Sequence, residues 1–142
     1  MSIVKIDKKK WQEGLRKLQE DFRLIGPVIK KGTSQFKALE EGETPDLTIR
    51  NSHLSPKSVV YPQSQVMFTY SLDEKEDDHH IMKPVDPKPE QQILIAVRPC
   101  DAAAFLIAKN NFDSPDYRDP YWCEAYENTL KIGFACSEPR ST

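Results

Sequence analysis

Ile93-Leu94-Ile95-Ala96-Val97-Arg98-Pro99-Cys100-Asp101-Ala102-Ala103-Ala104-Phe105-Leu106-Ile107-Ala108 is the stretch that decides the fold. Its first five residues are a continuous apolar run, the pattern of a strand covered on both faces. Arg98-Pro99 breaks that run, and Asp101–Ala108 is strongly helical by propensity. Further on, Asp119-Pro120 pairs a capping residue with proline at the first helical position, which opens a second short helix through Tyr121, Trp122, Ala125 and Tyr126. Leu130-Lys131-Ile132-Gly133-Phe134-Ala135 reads as another buried strand. Strand, helix, helix, strand implies a right-handed parallel crossover. The expected class is α/β, with α+β as the alternative. The expected architecture is a small mixed sheet with this crossover at its C-terminal end and an amphipathic helix at its N-terminal end.

That N-terminal helix is expected over Ile6–Leu24. Trp11, Leu15, Leu18 and Phe22 fall on one face of a 3.6-residue period. Asp7 is the N-cap candidate, although Lys8, Lys9 and Lys10 oppose the dipole there, and Gly26-Pro27 is the expected stop. The apolar stripe fits either a helix laid on its own core or one that binds a partner. Val28–Leu39 reads as an edge hairpin around Lys30-Lys31-Gly32, and Glu40–Asp46 as an acidic loop. Val59–Tyr70 is rich in β-branched and aromatic residues and is expected to be extended, with Pro62 restricting it to an edge or a strand end. Ser71–Gln91 reads as a mobile acidic loop with an exit stiffened by Pro84, Pro87 and Pro89. Within it, His79 and His80 beside Asp77 and Asp78 offer ligands for a divalent metal.

The chain of 142 residues is expected to be a single domain, 1–142. A net charge of −2 argues against a nucleic-acid partner, which calls for a concentrated basic excess. No apolar run approaches the ~20 residues that span a bilayer, and Met1–Lys10 lacks the apolar stretch of a signal peptide. No membrane insertion is expected, and the cytoplasm is the default compartment. Three scattered cysteines are too few for a disulfide framework, so Cys100, Cys123 and Cys136 are expected as reduced thiols. Eleven prolines against five glycines imply long, stiffened connections.

If the two apolar strands are parallel neighbours, Cys100 and Cys136 both lie just past their carboxyl ends, the edge where open α/β sheets bind ligands. Cys100 also begins a helix, whose free N–H groups and dipole favour a thiolate, and Arg98 adds positive charge. These residues point to a reactive or metal-ligating thiol in a crevice. Equally, both cysteines fit as small buried thiols, Asp101 as a helix N-cap and Glu138-Pro139 as a turn. Cys123, in an aromatic helix, reads as core.

Arg98-Pro99-Cys100-Asp101-Ala102, Asp119-Pro120-Tyr121 and Ile132-Gly133-Phe134-Ala135-Cys136-Ser137-Glu138-Pro139 together resemble the amino-terminal part of certain iron–sulfur electron-transfer subunits. These are the beta subunits of cytoplasmic nickel–iron hydrogenases and sulfhydrogenases, the A subunit of anaerobic sulfite reductase, and heterodisulfide-reductase-associated proteins. Ser55-Pro56-Lys57 followed by Tyr61-Pro62-Gln63 is similar to the family's Pro-Lys…Phe-Pro-Gln segment, so the resemblance runs from Gly26 to Thr142. It implies an oxidoreductase complex of anaerobic metabolism with other redox subunits as partners. It also implies that this domain is the N-terminal part of a longer subunit carrying [4Fe–4S] clusters. The family places a Cys-x-Cys pair and two ferredoxin-type cysteine runs after this region. The chain has neither, and three separated cysteines cannot supply four thiolates from one copy. No cofactor is therefore expected in this chain alone, with Cys100 and Cys136 as candidate ligands only in a fuller protein. The expected role is non-catalytic: docking, and shaping the environment of the clusters, with Arg98, Cys100, Asp101, Cys136 and Glu138 nearest them. The alternative is a stand-alone redox module with a thiol-dependent, nucleotide or flavin site in the Cys100 crevice. A thiol enzyme needs a base near the sulfur, and His53, His79 and His80 all fall in polar segments.

Overall fold

The computed structural model describes residues 7–49, 51–85 and 90–136. These form strands β1 (Arg23–Lys30), β2 (Thr33–Ala38), β3 (Phe68–Thr69), β4 (Lys83–Pro84), β5 (Gln92–Val97) and β6 (Thr129–Gly133), with helices α1 (Trp11–Asp21), α2 (Pro99–Phe112) and α3 (Pro120–Glu127). The main sheet has the order β2-β1-β5-β6. β1 runs antiparallel to β2 and parallel to β5, and β5 runs parallel to β6. The expected mixed sheet, with two helices between its parallel C-terminal strands, is what forms. The fold class is α/β.

Two apolar layers sandwich the sheet. On one face Ile25, Leu94 and Val97 pack with Phe105 of α2 and with Trp122 and Cys123 of α3. On the other, Leu24, Ile93, Ile95 and Ala96 meet Leu15, with Trp11 and Leu18 beside it, all on α1. The stripe on α1 therefore lies on the chain's own core. All of β5 is buried, and each large side chain so covered stabilises the fold by about 1.5–3 kcal/mol. Strand alternation puts Ile93 and Ile95 toward α1 and Leu94 toward α2, but Ala96 interrupts it. A register shift between Ile95 and Val97 and a φ of 64° at Ala96 mark a bulge. The bulge leaves Ile95 and Ala96 both on the α1 side and returns Val97 to the α2 side, just before Arg98.

Asp7 is not the N-cap of α1, where Lys10 stands without a side-chain cap; its carboxylate instead accepts the N–H of Lys9 at 3.0 Å, at the head of a 3-10 turn over Lys8–Lys10 that leads into the helix. The helix ends earlier than expected, at Asp21, with Phe22 already extended. Gly26-Pro27 is not its stop but lies inside β1. A Cβ on Gly26 would meet the Cβ of Pro45 at 2.8 Å, so glycine is what lets the following loop cross this strand. β1 pairs with β5 only over Arg23–Ile25. Beyond that point the carbonyl of Pro27 accepts the N–H of Asp46 at 2.7 Å, so the missing donor of proline falls where no strand waits for it. The expected hairpin is present, and Lys31 (φ 50°) and Gly32 (φ 75°) form its two-residue turn.

Three further expectations are corrected. Val59–Tyr70 is not one extended run: a 3-10 turn occupies Pro56–Val59, and only Phe68–Thr69 pairs, with Lys83–Pro84. Proline 56 starts that turn and the Ser55 hydroxyl accepts the N–H of Lys57, which together override the β propensity that follows. β6 is an outer strand with one face open, Leu130 being 61% exposed, because α1 does not reach across to it. α2 starts at Pro99 rather than Asp101, so Arg98 stands at its N-cap position and Asp101 in its first turn. The second crossover helix follows its signature closely, with the Asp119 carboxylate accepting the N–H of Trp122 at 2.8 Å. Asp73–His80 is a series of turns and Lys83–Pro84 is the paired strand β4, while Pro87 and Pro89 of the expected stiffened exit lie outside the described residues.

Candidate functional site

At the carboxyl edge of the sheet, β5 delivers Arg98 and the first turn of α2 delivers Cys100 and Asp101. The chain leaving β6 is held in place by the N–H of Phe134, which donates to the carbonyl of Val97 at 2.8 Å. That bond carries the β5–β6 pairing past the bulge and brings Cys136 alongside. Arg98 then reaches both ways. Its Nη1 lies 3.9 Å from Sγ of Cys136, and its Nη2 donates to the carbonyl of Ile49 in the loop after β2. The two motifs that are 38 residues apart in sequence thus meet at one guanidinium.

Cys100 and Cys136 are both exposed, which corrects their reading as small buried thiols. Cys123 is buried as expected; burial holds its thiol above the usual range, with Asp113 adding to the effect. Asp101 is half-buried, and burial raises its carboxyl above the usual range despite the nearby charges of Arg98 and Lys57. The edge therefore presents two accessible thiols, one fixed cation and one partly desolvated carboxyl. That combination suits an anionic or thiolate-liganded group approaching from solvent. Glu138 lies outside the described residues.

None of the histidines stands with these thiols. His53 belongs to a different hollow, of about 540 Å³, lined by Ile29, Ser34, Asn51 and Ser52. Its Nδ1 is 2.8 Å from the Ser34 hydroxyl, which also faces the carbonyl of Asn51 at 3.1 Å and accepts the N–H of His53 at 3.2 Å. A serine so occupied ties its loop to the hairpin and is a poor nucleophile. This knot joins residues 19 apart, and no spacing rule would have found it. At the tip of the acidic loop, Asp78 is ion-paired with Lys83, and the His79 ring stacks edge-on against His80. Among the described residues no three His, Cys, Asp or Glu side chains converge as metal ligands.

A second feature the sequence did not announce is an aromatic stack beneath α2 and α3. Trp122 lies between Phe112 and Tyr126 at centroid separations of 5.3 and 4.8 Å. Lys131 closes the stack, its Nζ 3.5 Å from the Tyr126 ring centre and donating to the carbonyls of Tyr126 and Thr129. Burial, with Lys109 nearby, lowers Lys131 to about 8. The stack is the support on which the crossover rests.

Comparison with protein-family models, with curated proteins and with solved structures gives no match to this chain. Among the described residues no helix is long and apolar enough to cross a membrane.

Proposed function

We propose that this chain is a non-catalytic α/β domain of an iron–sulfur electron-transfer subunit in a cytoplasmic oxidoreductase complex of the hydrogenase or sulfite-reductase kind. The single observation that supports this reading most is the meeting of the Arg-Pro-Cys-Asp and Phe-Ala-Cys motifs at the carboxyl edge of the sheet, through Arg98 and Cys136. Both thiols face outward, so they are available to a group held mainly by other ligands. One chain offers too few thiolates for a four-iron cluster of its own. Its contribution would be docking together with charge and hydrogen bonding near the sulfurs, the factors that set cluster potential.

The test is electron paramagnetic resonance with redox titration on the natively assembled complex, comparing wild type with Arg98→Gln and Arg118→Gln. Arg118 is remote and exposed, ion-paired with Glu127 and Asp113. Loss of a positive charge beside a cluster makes its reduction harder. Arg98→Gln should therefore shift one centre to a more negative potential, and Arg118→Gln should leave all centres in place. Equal behaviour of the two variants would contradict the assignment.

A further inference from the structure

The segment between the 3-10 turn and β5 is unlike the rest of the molecule. None of residues 61–85 is buried. Yet its two-stranded hairpin carries Val66, Met67, Phe68, Leu72, Ile81 and Met82, with Phe68 51% and Met82 63% exposed. A lone two-stranded hairpin is marginal in water, and this density of exposed apolar side chains in one short segment is what an interface supplies. Its tip is acidic: residues 71–85 hold five carboxylates against Lys75 and Lys83, so in a chain of net charge −2 the remainder is net positive by one.

The same chain carries a surface of matching character. β6 is the outer strand of the main sheet, and Leu130, Ile132 and Phe134 stand exposed along its open face. Natural edges are guarded by charges, prolines or bulges in the edge strand itself. The only charge within β6 is Lys131, and its ammonium is turned against Tyr126. This apolar stripe runs toward Arg98 beside Cys136, and Lys57, exposed, acts with Arg98 on Asp101. The arm is thus apolar with a carboxylate tip, and the edge is apolar with a cationic end.

We propose that two copies of this chain associate by reciprocal exchange, the arm of each lying along β6 of the other. The apolar residues of the arm cover Leu130, Ile132 and Phe134, and its acidic tip faces Lys57 and Arg98. The exchange is two-fold and closed, so it ends at a dimer. It does not require the iron–sulfur reading, although both draw on Arg98.

The experiment is sedimentation velocity and light scattering on the full chain, from about 5 to 200 µM, a range in which mass action resolves a micromolar dimer. Wild type should approach twice the chain mass. Phe68→Glu with Met82→Glu should remain monomeric with an unchanged circular dichroism spectrum, since neither side chain is buried. Glu76→Lys with Asp77→Lys should weaken association at least tenfold, and adding Lys57→Glu should recover part of that loss. A chain monomeric throughout, including one recovered only with a different protein, overturns the proposal. So does a dimer indifferent to the arm variants, which would signify edge-to-edge pairing, or an open-ended polymer.

Discussion

Nη1 of Arg98 stands 3.9 Å from Sγ of Cys136, while Nη2 of the same guanidinium donates to the carbonyl of Ile49. One side chain ties the carboxyl end of β5 to the chain leaving β6 and to the loop after β2. Replacing it with a stem of similar length, Arg98→Met, should cost about 1.5–3 kcal/mol, the usual worth of hydrogen bonds to a charged group. Hydrogen exchange should show faster opening around Ser52 and Cys136 and no change within β5. Uniform loss of protection across the sheet would mean that Arg98 holds the core rather than the edge.

The thiols should separate by accessibility. Cys100 and Cys136 are exposed and Cys123 is buried beneath α3. Timed alkylation with mass mapping should modify the first two at least ~100-fold faster than the third, whose labelling waits on opening of the core. Comparable rates for all three would show that α3 is not packed as described.

The bulge at Ala96 makes a prediction of unusual size. A left-handed φ costs an L-residue about 1–2 kcal/mol, whereas glycine in a strand costs about 0.5–1 kcal/mol in lost chain freedom. The buried methyl of Ala96 is worth about 0.8 kcal/mol more, so Ala96→Gly should leave the denaturation midpoint nearly unchanged, whereas the same change in ordinary strand backbone would cost the glycine and methyl contributions together. Ala96→Val should lower it by about 2 kcal/mol or more, since a branched side chain cannot follow that φ without strain. A glycine variant less stable than wild type by about 1.5 kcal/mol or more would place Ala96 in ordinary extended backbone.

Lys131 gives a pH dependence. Its folded value is about 8, below the 10.5 it has when free. Between those values the unfolded chain holds a proton that the folded chain has released, so stability contributed through this group rises with pH over that interval. Denaturant unfolding at pH 8 and pH 10 should show this rise in wild type, set against a Lys131→Met control that lacks it. Parallel pH profiles would mean that the carbonyls of Tyr126 and Thr129 and the Tyr126 ring keep the ammonium fully charged.

The crossover was legible because its signals are local. The apolar run of β5, the alanines of α2 and the Asp119-Pro120 cap each act within a few residues. What escaped the sequence depends on neighbours. Gly26-Pro27 reads as a stop until a loop crosses Gly26 and β5 diverges beyond Ile25. Leu130 and Ile132 read as buried because alternation cannot say how far α1 reaches. The Ala96 bulge leaves no mark in composition, although it decides which face Val97 takes. At the site, the placement of both cysteines past the strand ends follows from topology alone. Their exposure, and the reach of Arg98 to Cys136 and Ile49, follow only from the packed edge. The Ser34–His53 knot joins β2 to the loop that follows it by tertiary contact and has no sequence signature.

The measurement that bears most directly on the central claim is the iron and acid-labile sulfide content of this chain in two states, both handled without oxygen. One is the complex isolated from its native source; the other is the 142-residue chain by itself. The account predicts iron and sulfide in the complex, with a four-iron signal on reduction, and neither in stoichiometric amount in the chain alone. A native complex containing this chain but no iron would contradict it, as would two or more irons held by the isolated chain.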